Sequence, residues 1–266
     1  MSVRLSAAVM AHPVRRPYVE ELLPKLGDVP VVWDQVSTPS SGTEQRWAVG
    51  RAAWEAHDPD ADWHVVVQDD ALVSERFLEG LAEALSHVPF GVIVSGYCGT
   101  MRPNQRMVQA AIGRAEKHGS SWVTMQTLNW GVAWAAPVVT IPDMLAWCDE
   151  QVGLTYDTRT GRYYRDVLGW ACWYTWPSLV DHRQGPSIAG HESAGRFAHR
   201  FAPDATVRDW SLFPPDESLD VRAFRNMQTG RLVVVRDDVA ASQMARARRW
   251  VEVDAGTLPL ASHALR

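Results

Sequence analysis

The segment Val65-Val66-Val67-Gln68-Asp69-Asp70-Ala71-Leu72-Val73 sets two consecutive carboxylates at the end of an apolar run. Each carboxylate taken out of water costs free energy unless it is paired or bound to a cation. A divalent ion bridging Asp69 and Asp70 to a diphosphate meets that demand. Oxygen donors suit Mg²⁺ or Mn²⁺, and the ion neutralises a departing diphosphate. The other reading is local: an Asp pair serves a turn and the N-terminus of the helix that follows. The chain supplies its own comparison. Residues 232–240 (LVVVRDDVA) have the same look, and Asp237 and Asp238 there are read as capping the next helix.

Other residues widen the chemistry. His182, closing Pro177-Ser178-Leu179-Val180-Asp181-His182, offers a nitrogen donor that would complete an ion's shell and tilt the choice toward Mn²⁺. A lone histidine after a strand is also a common surface or core residue. Asp157 and Asp166 lie between the two candidate metal segments, where a carboxylate can act as general base on an acceptor hydroxyl. Asp166 is preferred because the apolar run 167–173 is expected to be helical and to fix it; its other reading is a helix-start residue favoured by the dipole. Asp34, after Val31-Val32-Trp33, can accept from a base or ribose. Arg15 and Arg16 either meet a diphosphate or form a solvated basic turn.

The elements that must hold these residues alternate. Apolar runs at 5–10, 30–33, 64–67 and 91–95 read as strands, and helices are expected from Pro17, over 43–57 and over 75–86. Such β-α-β order implies a mainly parallel sheet with helices on both faces, whose ligands gather at the carboxyl ends of the strands. Further strands are expected at 121–125 and 131–135, and a helix at 141–149. Residues 97–119 read as a loop with a short helix and 156–162 as turn-rich. A helix containing Asp166, Trp170 and Trp173 is expected next, then an extended 175–182. Residues 191–220 form a Gly/Pro/Asp-rich wrapping segment, and 221–266 a small hairpin-plus-helix module with a helix at 239–249.

Bulk properties bound the answer. The 266 residues, 46% hydrophobic and 21% charged, describe a globular chain with room for one α/β domain and an appendage. A net charge of -5 gives no support for a broad phosphate-gripping surface. Three cysteines without CxxC spacing point to a reducing compartment and away from a zinc site. No apolar run reaches membrane-spanning length, and the cytoplasm is the expected location, a host's cytoplasm if the chain is phage-encoded. The 13 tryptophans suit a carbohydrate site or a core, and by count alone the core is favoured.

The order AVMAHPVRRPYVEELL, VVWD, a helix with Trp47 and Arg51, VVVQDDALV, NWGVAWAAP and PSLVDHRQGPSI resembles GT-A-type glycosyltransferases over roughly residues 3–190. The likeness is greatest to bacterial and phage members related to the lipopolysaccharide-type family with a Glu-Asp-Asp motif. It implies a GT-A-like (Rossmann-like) α/β catalytic domain at 1–190 and a metal held by Asp70, with Asp69 and His182. It implies donor-binding roles for His12, Arg15, Asp34, Arg51, Gln68, Asp69, Trp130 and Gly131. The stretch 130–133 is expected as the strand beneath the sugar, and Asp166 near the base position. Gln68 departs from the pattern: an amide stands where a first acid is usual, leaving the shell one anion poorer. The implied activity is transfer of a sugar from a nucleotide-sugar donor, UDP-linked by preference, to an acceptor hydroxyl with inversion. Glycan, protein and modified DNA base all stay open as acceptor, with oligomeric state unread. Nucleotidyl transfer on the same fold, which needs a Gly-rich loop after the first strand, and a non-catalytic binding protein are the alternatives.

Overall fold

A computed structural model of the chain describes residues 3–35, 42–100, 105–184, 196–206, 208–214, 222–229, 232–235 and 250–253. The N-terminal strands are β1 (Leu5–Ala11), β2 (Val31–Trp33) and β3 (Trp63–Gln68), with helices α1 (Arg16–Leu26) and α2 (Thr43–Glu55) between them. Short β4 (Ala71–Val73) follows β3, then α3 (Phe77–His87), β5 (Val92–Ser95), α4 (Gln105–Lys117), β6 (Trp122–Met125) and β7 (Ala133–Pro137). Helices α5 (Ile141–Asp149) and α6 (Tyr156–Arg162), a π-helical turn at Tyr163–Val167, β8 (Ala171–Thr175) and β9 (Val180–His182) complete this part.

Seven strands form one sheet in the order β2-β1-β3-β7-β5-β8-β6. β2, β1, β3, β5 and β8 run one way, and β7 and β6 run against them. The sheet is buried on both faces because successive side chains alternate sides. Val65 and Val67 of β3 join Val19, Leu22 and Leu26 of α1 and Phe77, Leu81 and Leu85 of α3 in one cluster. Val66 joins Trp47 and Trp54 of α2, Ala111 of α4 and Met144 of α5 in the other. Helices thus cover both faces. Most tryptophans serve this core; Trp54, Trp122, Trp134 and Trp210 are wholly buried. The three cysteines are buried and unbridged.

Three sequence expectations change here. Residues 156–162 are helical because Tyr156, Arg159 and Thr160 turn inward on one face. The helix expected through Trp170 and Trp173 is instead β8, where Cys172 and Tyr174 face the core; i, i+3 tryptophan spacing mimicked a helix. The expected short helix within 97–119 is α4, thirteen residues long. At the C-terminal end, β10 (Arg222–Asn226), β11 (Leu232–Val235) and β12 (Trp250–Val253) form a separate antiparallel sheet. The expected helix at 239–249, with Asp237 and Asp238, lies outside the described residues. No helix among the described residues is long and apolar enough to cross a membrane.

The close approach of α3 to the segment that follows β9 sets a test. A Cβ on Gly80 would lie 2.3 Å from the Cβ of Ala205 and 2.6 Å from its carbonyl oxygen. Gly80→Ala should therefore lose about 1–3 kcal/mol of stability in denaturant unfolding. Gly113→Ala, on an exposed position of α4 with nothing within 4 Å, should gain about 0.5–1 kcal/mol.

His64 sets a second. It is wholly buried, with Nδ1 2.8 Å from the Ser6 hydroxyl and Nε2 3.0 Å from the Ala53 carbonyl, and burial lowers its pKa from 6.5 to about 4. The unfolded chain takes this proton first, so the contribution is complete above 6.5 and is lost as pH falls toward 4. Unfolding free energy measured across that window should fall with pH, and less steeply in His64→Gln; equal slopes would refute the assignment.

Candidate functional site

The sheet brings the ends of β1, β2 and β3 to one edge. Asp34 donates its N–H to Ala11 O (2.6 Å), and Asp69 donates its N–H to Met10 O (3.1 Å). Gln68 donates its N–H to Val132 O (2.7 Å), which draws the start of β7 to the same place. Asp34, Asp69 and Asp70 are all buried there, at 7%, 4% and 6% exposure.

The turn after β1 closes over the acidic pair. His12 caps it, its ring Nδ1 accepting from Val14 N (3.2 Å) and its carbonyl accepting from Arg15 N (2.9 Å). Pro13 supplies a fixed φ at the turn's first position. The His12 N–H then donates to Asp69 Oδ2 (2.7 Å), and the turn returns Arg15 over the strand end. Arg15 Nη1 lies 2.8 Å from Asp69 Oδ1 and 2.5 Å from Asp70 Oδ2. Burial and the neighbouring Asp70 charge raise the Asp69 pKa, against the pull of Arg15 and the His12 N–H. Desolvation works to lower the Arg15 pKa, yet the two carboxylates outweigh it and hold the guanidinium above its ordinary value.

A second pair of strands brings the histidine. β4 and β9 pair antiparallel with Ala71 opposite His182, and Arg183 N donates to Asp70 O (2.8 Å). His182 Nε2 comes within 3.4 Å of Asp70 Oδ2, while Nδ1 lies 2.8 Å from Arg183 O. Asp181 Oδ1 accepts from His182 N (2.8 Å) and Ala198 N (2.6 Å), tying β9 to the segment beyond. Segments far apart in sequence thus share one corner of the molecule.

An aromatic wall adjoins this corner. The Tyr97 ring lies 6.3 Å from His182 and 5.8 Å from Trp130, and Trp130 lies 5.7 Å from Tyr174. Sequence reasoning missed Tyr97. Its signal was present, since Tyr97 is the second residue after β5, a strand that ends at the same edge. Gly131 packs against Tyr156: a Cβ there would lie 2.9 Å from the ring and 3.3 Å from Asp157 Cβ. Trp130–Val132 precede β7, so the expected strand at 130–133 starts only at Ala133.

Two proposed site residues are held by neighbouring side chains. Asp166 sits in the π-helical turn, half exposed, gripped by Arg165 Nε and Nη2 at 2.6 and 2.9 Å. Arg165 also reaches Thr127, just past the end of β6, and Tyr164 bonds Thr140, just past the end of β7. Both of those strands run against β3, so this turn lies at the opposite edge of the sheet from Asp70. The apolar run beyond Asp166 does not fix it as expected, because it turns into β8. Arg51 is the other, committed to Asp149 at 2.9 Å and to Glu55. Asp157, at the far end of α6 beside Gly131, is the carboxylate on the acidic pair's side. Its Oδ1 accepts from the Thr155 hydroxyl (2.7 Å) and Thr158 N (2.8 Å). Gln68, half-buried, is the last residue of β3 rather than the first of the turn after it.

The donor chemistry suits a hard divalent ion. Asp70 Oδ1 is buried without a hydrogen-bond partner, next to a second carboxylate and an imidazole. The set is not yet gathered: among the described residues, no group of three or more His, Cys, Asp or Glu could hold a metal ion. Arg15 Nη1 lies between Asp69 Oδ1 and Asp70 Oδ2, on the carboxylates that would hold such an ion.

No protein-family model and no curated protein matches the sequence. Among solved structures, the chain is similar to the crystal structure of mannose-1-phosphate geranyltransferase from Thermus thermophilus. The identity is 12% and the TM-score 0.32, over 65% of this chain and 73% of that one. A likeness of that size carries no argument about chemistry.

Proposed function

We propose that the chain is a metal-dependent glycosyltransferase that moves a sugar from a nucleotide-linked donor to an acceptor hydroxyl. The observation that carries this reading is the buried Asp69-Asp70 pair at the carboxyl end of β3, with Asp70 Oδ1 unpartnered and His182 beside it. Asp70, Asp69 and His182 would hold Mn²⁺ or Mg²⁺. When bound, the ion would supply positive charge against the diphosphate as it leaves.

The chain's own groups supply the rest. Asp34, at the end of β2, is placed to accept hydrogen bonds from a nucleoside. Trp130, half-buried, offers an aromatic face to the C–H surface of a sugar, with the buried Tyr97 ring packed against it. Asp157 is the carboxylate that takes the acceptor's proton. The acceptor oxygen bonds to the anomeric carbon, the bond to the diphosphate breaks, and the nucleoside diphosphate departs. Attack opposite the leaving group inverts the anomeric centre.

Nucleotidyl transfer finds less support. It requires free backbone N–H groups after the first strand, and here Val14 N and Arg15 N are already spent on His12.

The test is release of free nucleotide from a panel of sugar nucleotides, UDP sugars first, with Mn²⁺ or with EDTA. One donor should be hydrolysed slowly by the wild type with Mn²⁺ and not with EDTA. Asp70→Ala should lose that turnover by at least about 100-fold while keeping its melting temperature within a few degrees. Asp157→Asn should keep donor binding and lose transfer; Asp166→Asn should leave both unchanged. Full turnover in Asp70→Ala would overturn the reading.

A further inference from the structure

Arg15 and a divalent ion have claims on the same oxygens. One nitrogen, Nη1, serves Asp69 Oδ1 at 2.8 Å and Asp70 Oδ2 at 2.5 Å. The side chains of all three residues are 12% exposed or less. A guanidinium paired for strength alone meets one carboxylate with two parallel N–H groups, as Arg165 does with Asp166 here. Toward this acidic pair Arg15 instead sets one nitrogen between two carboxylates, which is the place of a shared cation.

We propose that Arg15 is an exchangeable counter-ion for the acidic turn, which yields these oxygens to a divalent cation and then pairs with the diphosphate the cation brings. The inference rests on the metal reading of the same site.

Three features support it. The first is charge. Two buried carboxylates and one guanidinium leave one negative charge, and an added divalent ion would then sit against Arg15 with like sign unless the arginine moved. A diphosphate arriving with the ion supplies the anion that Arg15 gives up. The second is that the turn survives the exchange. Asp69 Oδ2 keeps the N–H of His12, and Asp70 keeps its backbone bond to Arg183. The third is that Asp70 Oδ1 already lacks a partner, so one ligand oxygen is available before Arg15 moves. Arg15 lies at the last position of the His12-capped turn, outside the strand that carries the acidic pair.

The test compares wild type with Arg15→Gln and Arg15→Lys. Direct Mn²⁺ binding, followed by the Mn²⁺ electron-spin signal, should be at least about tenfold tighter in Arg15→Gln than in the wild type, with Arg15→Lys between them. Arg15→Gln leaves two buried carboxylates unpaired, so its melting temperature should fall, and Mn²⁺ should restore it where NaCl of equal ionic strength does not. UDP should raise the apparent Mn²⁺ affinity of the wild type, and should do so less in Arg15→Gln. Equal Mn²⁺ affinity in all three proteins, or a destabilised Arg15→Gln that Mn²⁺ fails to restore, would overturn the exchange while leaving the metal reading intact. No Mn²⁺ binding in any of them, with or without UDP, would remove the metal reading and this inference together.

Discussion

Two carboxylates on consecutive residues cannot both leave water at a strand end without positive charge between them. That constraint explains much of the local architecture. Arg15 supplies the charge, the His12-capped turn delivers Arg15, and the His12 N–H holds the outer oxygen of Asp69. The three-residue strand β4 then turns away at once to pair with β9, which brings His182 to the same corner. Each piece is short and local, yet the result joins chain segments far apart in sequence.

The sheet separates structure from chemistry by its two edges. At one edge the co-directed strands end in Asp34, Asp69, Asp70 and Tyr97. At the other, strands running the opposite way end near Thr127 and Thr140, and the polar groups there satisfy one another, as Arg165 does with Asp166. A carboxylate's identity says little until its edge is known. Asp157 and Asp166 stand at the two ends of a continuous helical stretch, about 14 Å apart at 1.5 Å per residue, and that rise carries them to different edges.

Much of this was legible in sequence. The apolar runs of β1, β2, β3 and β5 marked strands, their order implied a largely co-directed sheet, and the acidic pair stood at a strand end where ligands gather. What could not be read depended on partners. Ala71–Val73 is a strand only because residues 180–182 lie beside it. Tyr156–Arg162 carries few apolar residues, and its inward face includes Arg159, wholly buried over Trp47 at 4.9 Å and bonded to Glu44. Trp170 and Trp173 repeat at helical spacing, yet the second belongs to a strand buried on both faces. Arg51, which the resemblance assigns to the donor, is paired with Asp149, 98 residues away in sequence.

Tyr156 lies between α2 and the residues that open β7. Its hydroxyl accepts from the indole N–H groups of Trp54 (2.9 Å) and Trp134 (3.2 Å), and its ring fills the hollows left by Gly50 and Gly131. A side chain at either glycine would strike that ring. Positions 50, 131 and 156 therefore form one unit of inheritance: a descendant chain can enlarge either glycine only by shrinking the tyrosine. Since Gly131 adjoins Trp130, such a change in the core would reshape the aromatic wall from behind.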